Sequence, residues 1–365
     1  MIIIMEPGTS EDNIQRVVKT LEKHEFRVVL NRGDVMTVIA AIGDKRMFDP
    51  RSLGSLEGVR EVKVIQEPYK LASREGKQED TVVKFDNGVK VGGLERPVLM
   101  AGPCSVEPEY QGLLDVAYAA KEMGVQFLRG GAFKPRTSPY DFQGLEERAL
   151  IYLARAKEKT GLLVVTELMD TNDLPMVETY ADVIQIGARN MQNFALLKAV
   201  GKSKRPVLLK RGGAASIREF LLAAEYIMCN GNDNVILCER GIKSFDNSFT
   251  RNVLDLSAIP VIRKLSHLPI IVDPSHATGR RYLIEPMSKA ALIAGAHGIM
   301  MEVHHDPDNA SSDGAQSLSI PQFTDVAKRI NKLIGRIDYD NRIKKQELGR
   351  SEEHTSELQS RGLIS

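Results

Sequence analysis

Eight short apolar runs recur along residues 98–305, separated by longer stretches of helical spacing. In order they are PVLMAGPC, FLRGGAFK, LLVVTE, VIQIGAR, PVLLKRG, VILCERG, PIIVDPSH and GIMMEVHH. Runs this short, rich in Val, Ile and Leu, read as strands of a parallel sheet covered on both faces. Stretches such as YQGLLDVAYAAKEMG, GLEERALIYLARAKEKTG and IREFLLAAEYIMCNG supply the helices of successive βα units. A doubly wound sheet is the competing arrangement. Eight regular repeats favour closure, so the expected fold class is α/β, a (β/α)8 TIM barrel over residues 85–340.

Ahead of the barrel the pattern changes. MIIIM, FRVVL, VMTVIAAIG and VREVKVI read as strands, the second and third pairing across the NRGD turn. TSEDNIQRVVKTLEKH carries apolar residues at Ile14, Val17, Val18 and Leu21 behind cap-like residues, and RSLGSLEG is a short helix. The order βαββαβ predicts a small ferredoxin-like α+β domain at 1–70. Polar residues 71–84 are read as a linker. A small hairpin built from TVVKF, DNG and VKVGG then precedes the barrel and is placed as a plug for its bottom. Residues 350–365 stand apart: RSEEHTSELQSR can be encoded by a widely used sequencing adapter, so this stretch is expected to be an artefactual or disordered tail without function.

Composition narrows the partners. A net charge of +1 gives no electrostatic case for nucleic acid or an anionic membrane. No apolar run reaches the ~18 residues of a membrane span, and MIIIMEPG lacks the basic start of a signal peptide. Three cysteines argue against a disulfide framework and for a reducing, cytoplasmic setting.

The chemistry lies at the ends of the runs, which deliver Cys104, Arg129 with Lys134, Glu167, Arg189, Lys210, Arg240, His276 and Glu302. In a β/α barrel these ends meet on the catalytic face. Cys104, His276, Glu302 and Asp313 combine a soft thiolate, an imidazole and two carboxylates, a set suited to a borderline divalent metal. The ordinary fate of a free cysteine is an inert buried thiol, and loop polarity would account for the others. Cys229 and Cys238 are read as core residues. Arg129, Lys134, Arg136, Arg189, Lys210 and Arg240 form a cationic set that fits phosphorylated, carboxylated substrates.

Lys210, followed by Arg211, also permits a Schiff base in a metal-independent aldolase. Glu167 is read as a positioning group more than a proton carrier. His304 and His305 are placed in loop or surface, His267 on the face away from chemistry, and GAHG at 295–298 as a tight turn.

AGPCSVE, LRGGAFKPRTSPY, QIGARN, LLKRG, ILCERG, VDPSH and MEVH…SDG together resemble 3-deoxy-D-arabino-heptulosonate 7-phosphate (DAHP) synthases of type I, over roughly residues 80–335. The front end is similar to the regulatory module of the branch with an N-terminal ferredoxin-like extension. The resemblance implies condensation of phosphoenolpyruvate with erythrose 4-phosphate, opening the shikimate route to aromatic amino acids. It implies metal ligands Cys104, His276, Glu302 and Asp313, for Mn2+ first and Fe2+, Co2+, Zn2+ or Cd2+ otherwise. Phosphoenolpyruvate would be held by Arg129, Ala188, Arg189, Lys210 and Arg240 with Glu167 nearby, and erythrose 4-phosphate by Lys134, Pro135, Arg136 and Thr137. Lys210, Glu167, His276 and Cys104 would carry catalysis. The resemblance further implies a homotetramer and feedback by tyrosine or phenylalanine at the front module. Two other readings stand beside it. A 3-deoxy-D-manno-octulosonate 8-phosphate (KDO8P) synthase would use arabinose 5-phosphate but typically reads KANRSS where this chain has KPRTS. A non-catalytic anion-binding barrel would leave the metal ligands unexplained.

Overall fold

In the computed structural model, β1 (Ile2–Met5), α1 (Glu11–Lys23), β2 (Arg27–Arg32), β3 (Thr37–Ile42), α2 (Arg51–Gly54) and β4 (Val59–Lys63) build the front domain. The structure describes all residues except 34–35, 44–47, 50, 64–67, 135–137, 139, 141 and 361–365; for residues 51 and 348–360 it describes the backbone only. The four strands are antiparallel in the order β2-β3-β1-β4, the ferredoxin-like arrangement expected. Ser10 starts α1 by accepting the Asn13 amide on its hydroxyl, and Ile14, Val17, Val18 and Leu21 fall on one face. That face packs on Met1, Ile3, Met5, Ile39 and Ala41, forming a core separate from the barrel's.

The connecting segment lacks regular structure but is stitched to the barrel. Tyr69, Leu71 and Ala72 are buried within the barrel's own core. The Leu71 and Ala72 amides donate to the buried Glu225 carboxylate at 3.0 and 2.9 Å. His267 joins Leu71 O at 2.6 Å and Thr81 Oγ1 at 2.7 Å. A polar stretch read as a linker is therefore fixed, because its backbone donors find buried acceptors.

The hairpin follows as β5 (Val83–Lys84) and β6 (Lys90–Val91). Val83 and Val91 join Val98, Phe127, Leu163, Leu208 and Ile271 in the barrel's inner core, so the hairpin does plug the bottom. The barrel strands are β7 (Val98–Gly102), β8 (Phe127–Arg129), β9 (Leu163–Glu167), β10 (Val183–Ile186), β11 (Val207–Lys210), β12 (Val235–Glu239), β13 (Ile270–Val272) and β14 (Gly298–His304). Each is parallel to the next, and β14 returns to β7 with Gly298 opposite Val98 and Glu302 opposite Gly102. The ring is closed, which rules out the doubly wound sheet.

Helices α3 (Tyr110–Glu122), α4 (Glu147–Thr160), α5 (Leu174–Tyr180), α6 (Phe194–Val200), α7 (Ile217–Met228) and α8 (Ala258–Leu265) cover the outside, the short α9 (Pro274–Thr278) follows β13 at the mouth, and α10 (Arg281–Ile293) returns to the outer layer. Cys238 lies in the inner core as read, whereas Cys229 caps α7 and is half-buried rather than a core residue. Gly295, at φ +102°, makes the turn into β14. After the two-residue β15 (Leu318–Ser319), α11 (Ile320–Ser360) runs through most of the stretch expected as a tail, in keeping with its helix-forming Glu, Leu and Gln. No helix among the described residues is long and apolar enough to cross a membrane.

Candidate active site and metal centre

Cys104 lies two residues beyond β7, Glu302 within β14, His276 on α9 just after β13, and Asp313 in the loop beyond β14. One ligand atom from each lies within 4.8 Å of the other three. Cys104 Sγ is 3.0 Å from Asp313 Oδ2, and His276 Nε2 is 3.1 Å from Glu302 Oε1. Gln316 Nε2 donates to the other Glu302 oxygen at 2.5 Å, and Arg129 Nη1 reaches Oε1 at 3.0 Å.

These residues fit a cation. Burial lowers the His276 pKa, so its ring is neutral near pH 7. Its Nδ1 faces Asp273 Oδ2 at 2.7 Å, which assigns the ring proton there and leaves a bare Nε2 lone pair facing a carboxylate oxygen. Two acceptors at 3.1 Å repel unless something positive lies between them. Burial and the Glu302 charge likewise push the Cys104 thiol up to about 12. Burial also pushes Asp313 up, but the Cys104 hydrogen bond and the charges of His276 (protonated in acid), Arg251 and Lys134 hold its carboxyl at about 2. A divalent ion among these donors would relieve each conflict.

Asp273 is the residue that sequence reasoning missed. It is fully buried at the N-cap of α9, where Oδ1 takes the His276 amide at 2.9 Å. Its Oδ2 takes both His276 Nδ1 and, at 2.5 Å, Lys210 Nζ. Burial pushes this carboxyl up, but His276 and Lys210 outweigh it and hold it well below the usual carboxylate range. The signal was present in DPSH, an Asp three residues ahead of a ligand His.

Beside the cluster opens a cavity of about 590 Å³. Lys134, Glu167, Arg189, Lys210, Arg240 and His276 from the strand ends line it, together with Ala188 and Asp313. Arg129 is buried nearby, and its Nε has no hydrogen-bond partner among the described residues. Lys243, Arg251, Asn252 and Gln185 also line the cavity, and the sequence reading had not named them. Gln185 Nε2 holds Glu167 Oε2 at 3.1 Å, and Arg251 Nη1 reaches Asp313 at 3.3 Å. Pro135, Arg136 and Thr137 lie outside the described residues.

Two expectations change. Arg211 does not crowd Lys210: it turns to Glu239 at 2.8 Å and Asp255 at 2.9 Å, since neighbours on a strand face opposite ways. Lys210 Nζ is instead engaged by Asp273 Oδ2 at 2.5 Å, so its nitrogen is not free to attack a carbonyl. His304 is not at the surface either. It ends β14, is buried, and places Nε2 3.4 Å from Glu107, while His305 is half-buried.

The chain is similar to known proteins over most of its length. Residues 80–337 match the DAHP synthetase I family and residues 1–67 the DAHP synthase ferredoxin-like domain. A phospho-2-dehydro-3-deoxyheptonate aldolase of Thermotoga maritima is 51% identical over 91% of this chain and 97% of its own. A crystal structure of that activity from Thermotoga maritima, described as DAHP synthase, is 50% identical with a TM-score of 0.73, covering 92% of this chain and 98% of that one. A 2-dehydro-3-deoxyphosphooctonate aldolase of Desulfotalea psychrophila is more distant, 31% identical over 67% of this chain and 92% of its own.

Proposed function

The chain belongs to the DAHP synthetase I family, and from that premise we propose how its residues divide the work of the reaction. It is a 3-deoxy-7-phosphoheptulonate synthase: phosphoenolpyruvate, erythrose 4-phosphate and water become DAHP and phosphate, the entry to the shikimate pathway. The octulosonate activity belongs to relatives that are far less similar and span only two thirds of the chain.

The observation carrying the assignment of roles is the juxtaposition of the four-ligand cluster with a cavity walled by cations. Arg189, Arg240 and Lys210 hold the phosphate and carboxylate of phosphoenolpyruvate, with Arg129 on the buried side. Ala188, at the start of a short 3-10 turn, lends its backbone. Lys134 and Pro135, Arg136 and Thr137 take the aldose phosphate. Cys104, His276, Glu302 and Asp313 would hold a divalent ion, which would supply Lewis-acid chemistry toward the aldehyde.

The chain's own groups do the rest. They align the enol carbon with the aldehyde and shed bulk water. Their fixed positive charge stabilises the anionic phosphate and carboxylate as carbon 3 attacks, water adds to carbon 2 and phosphate leaves. Glu167, held by Gln185, orients these cations. Lys210, held in place by Asp273, carries charge or delivers a proton.

For the physiological ion we propose Mn2+, since two carboxylates and an imidazole favour a hard-to-borderline ion while the lone thiolate tolerates it. The front domain would bind tyrosine or phenylalanine between copies of a homotetramer. Its ties to the barrel support such coupling: Arg27 donates to Cys229 O, and Lys70 Nζ to Ala41 O at 3.3 Å. Unpaired cysteines, one of them a proposed ligand, suit a reducing cytoplasm. Phosphate release is assayed after chelation and then with each ion restored. Recovery led by Mn2+ supports the assignment; an undiminished rate in chelator contradicts it.

A further inference from the structure

The four proposed ligands are not positioned alike. Glu302 sits inside a strand ladder, and His276 is fixed by Asp273 on a capped helix. Cys104 and Asp313 sit on loops, which neither a ladder nor a helix aligns. Asp313 even adopts φ +53°, an uncommon region for a residue with a side chain, which persists only where the surroundings hold it.

Beyond its direct contacts with Cys104 and Arg251, a clasp between the two loops holds the segment that carries it. Ser105 and Ser312, each adjacent to one ligand, meet hydroxyl to hydroxyl at 2.6 Å, and both are buried. Two residues beyond Ser105, Glu107 Oε1 accepts the amide of Ser311, the residue before Ser312, at 2.6 Å. The same oxygen lies 3.4 Å from His304 Nε2 at the end of β14. His304 Nδ1 accepts the Asp306 amide at 3.1 Å, so the proton is assigned to Nε2, which donates to Glu107. Glu107 thus ties the Cys104 loop to both ends of the segment that leads into Asp313.

We infer that Glu107 and the Ser105–Ser312 pair are positioning residues that preassemble the Cys104–Asp313 half of the metal site. The inference rests on the reading of Cys104, His276, Glu302 and Asp313 as ligands. None of the clasp residues belongs to the four-ligand group or lines the cavity. Their effect is to hold Sγ and Oδ2 at 3.0 Å, so that the ion does not have to order two loops on binding.

The test is titration of the metal-free full-length chain with Co2+ against a competing chelator, following the thiolate-to-metal absorption band. Glu107→Ala and the double variant S105A/S312A are expected to bind about 10–100-fold more weakly, with a diminished band. Glu107→Gln retains an oxygen that accepts the Ser311 amide and is expected to stay within about threefold of the unmodified chain. Excess metal should restore kcat in all variants with KM for both substrates unchanged, and the metal-free Tm should not move. Unchanged affinity in Glu107→Ala, or equal loss in Glu107→Gln, overturns the clasp alone. A metal-free Tm that falls in step with affinity makes the clasp a general tie and also overturns it. Failure of the unmodified chain to bind Co2+ overturns the ligand reading itself.

Discussion

Lys210 and His276 are joined through one oxygen: Asp273 Oδ2 lies 2.5 Å from Lys210 Nζ and 2.7 Å from His276 Nδ1. A group proposed to bind phosphoenolpyruvate and one proposed to bind metal therefore share a partner. Replacing Asp273 with Asn removes the charge both depend on and leaves an amide in the place of an acceptor. Metal affinity should fall about 10–100-fold. KM for phosphoenolpyruvate should rise in the same variant even at saturating metal. Chelator competition and steady-state kinetics read the two effects separately; a change in only one would show that the bridge does not couple them.

The salt bridge of Lys210 also bears on the imine route. A lysine nitrogen engaged by a buried carboxylate is not free to attack a carbonyl. Borohydride added during turnover should leave the chain's mass unchanged and its activity intact. A reduced adduct on Lys210 would revive the metal-independent aldolase.

Gly187 has a specific spatial duty. A Cβ there would come within 1.9 Å of Glu167 Oε1. Gly187→Ala must swing that carboxylate away from Gln185 and the neighbouring cations. The expected loss is about tenfold in kcat/KM, or ~1.4 kcal/mol of transition-state stabilisation, with Tm little changed because the displaced group is a side-chain end. Wild-type kinetics would remove Glu167 from the positioning role.

Much of this site was readable from the order of residues. A β/α barrel writes each strand as a short apolar run and puts its working residue at the run's end, so Cys104, Arg129, Glu167, Lys210, His276 and Glu302 surface without coordinates. Asp313 was named as the fourth ligand from the loop beyond the last run, and the folded chain brings its Oδ2 to 3.0 Å from Cys104 Sγ. The bridging residues were hidden because their meaning is long-range. Glu225 sits in IREFLLAAEYIM like any exposed helical acid, yet it binds two amides from a segment some 150 residues earlier. Asp273, Gln316 and His304 look like local polarity until the barrel closes and brings Lys210, Glu302 and Glu107 against them.

Acid should weaken the barrel's bottom before its mouth is considered. Burial pushes His267 and His297 down to about 4, so both are neutral in the folded chain. An unfolded histidine titrates near 6.5, so the unfolded state binds more protons below that pH. The stabilisation is full above pH 6.5 and is lost as pH falls toward 4, on the order of 3 kcal/mol for each residue. Tm measured from pH 7.5 to 4 should drop steeply across this window, and less so in His267→Gln or His297→Gln. A flat profile would mean that neither ring is buried neutral.

The central claim is that one cationic, metal-binding cavity joins phosphoenolpyruvate to a four-carbon aldose phosphate. The direct measurement is phosphate release from phosphoenolpyruvate with erythrose 4-phosphate or arabinose 5-phosphate, each with Mn2+ and with chelator. Turnover with the four-carbon sugar that is abolished by chelator and restored by Mn2+ is the predicted result. Preference for the five-carbon sugar, or turnover that survives chelation, would contradict it.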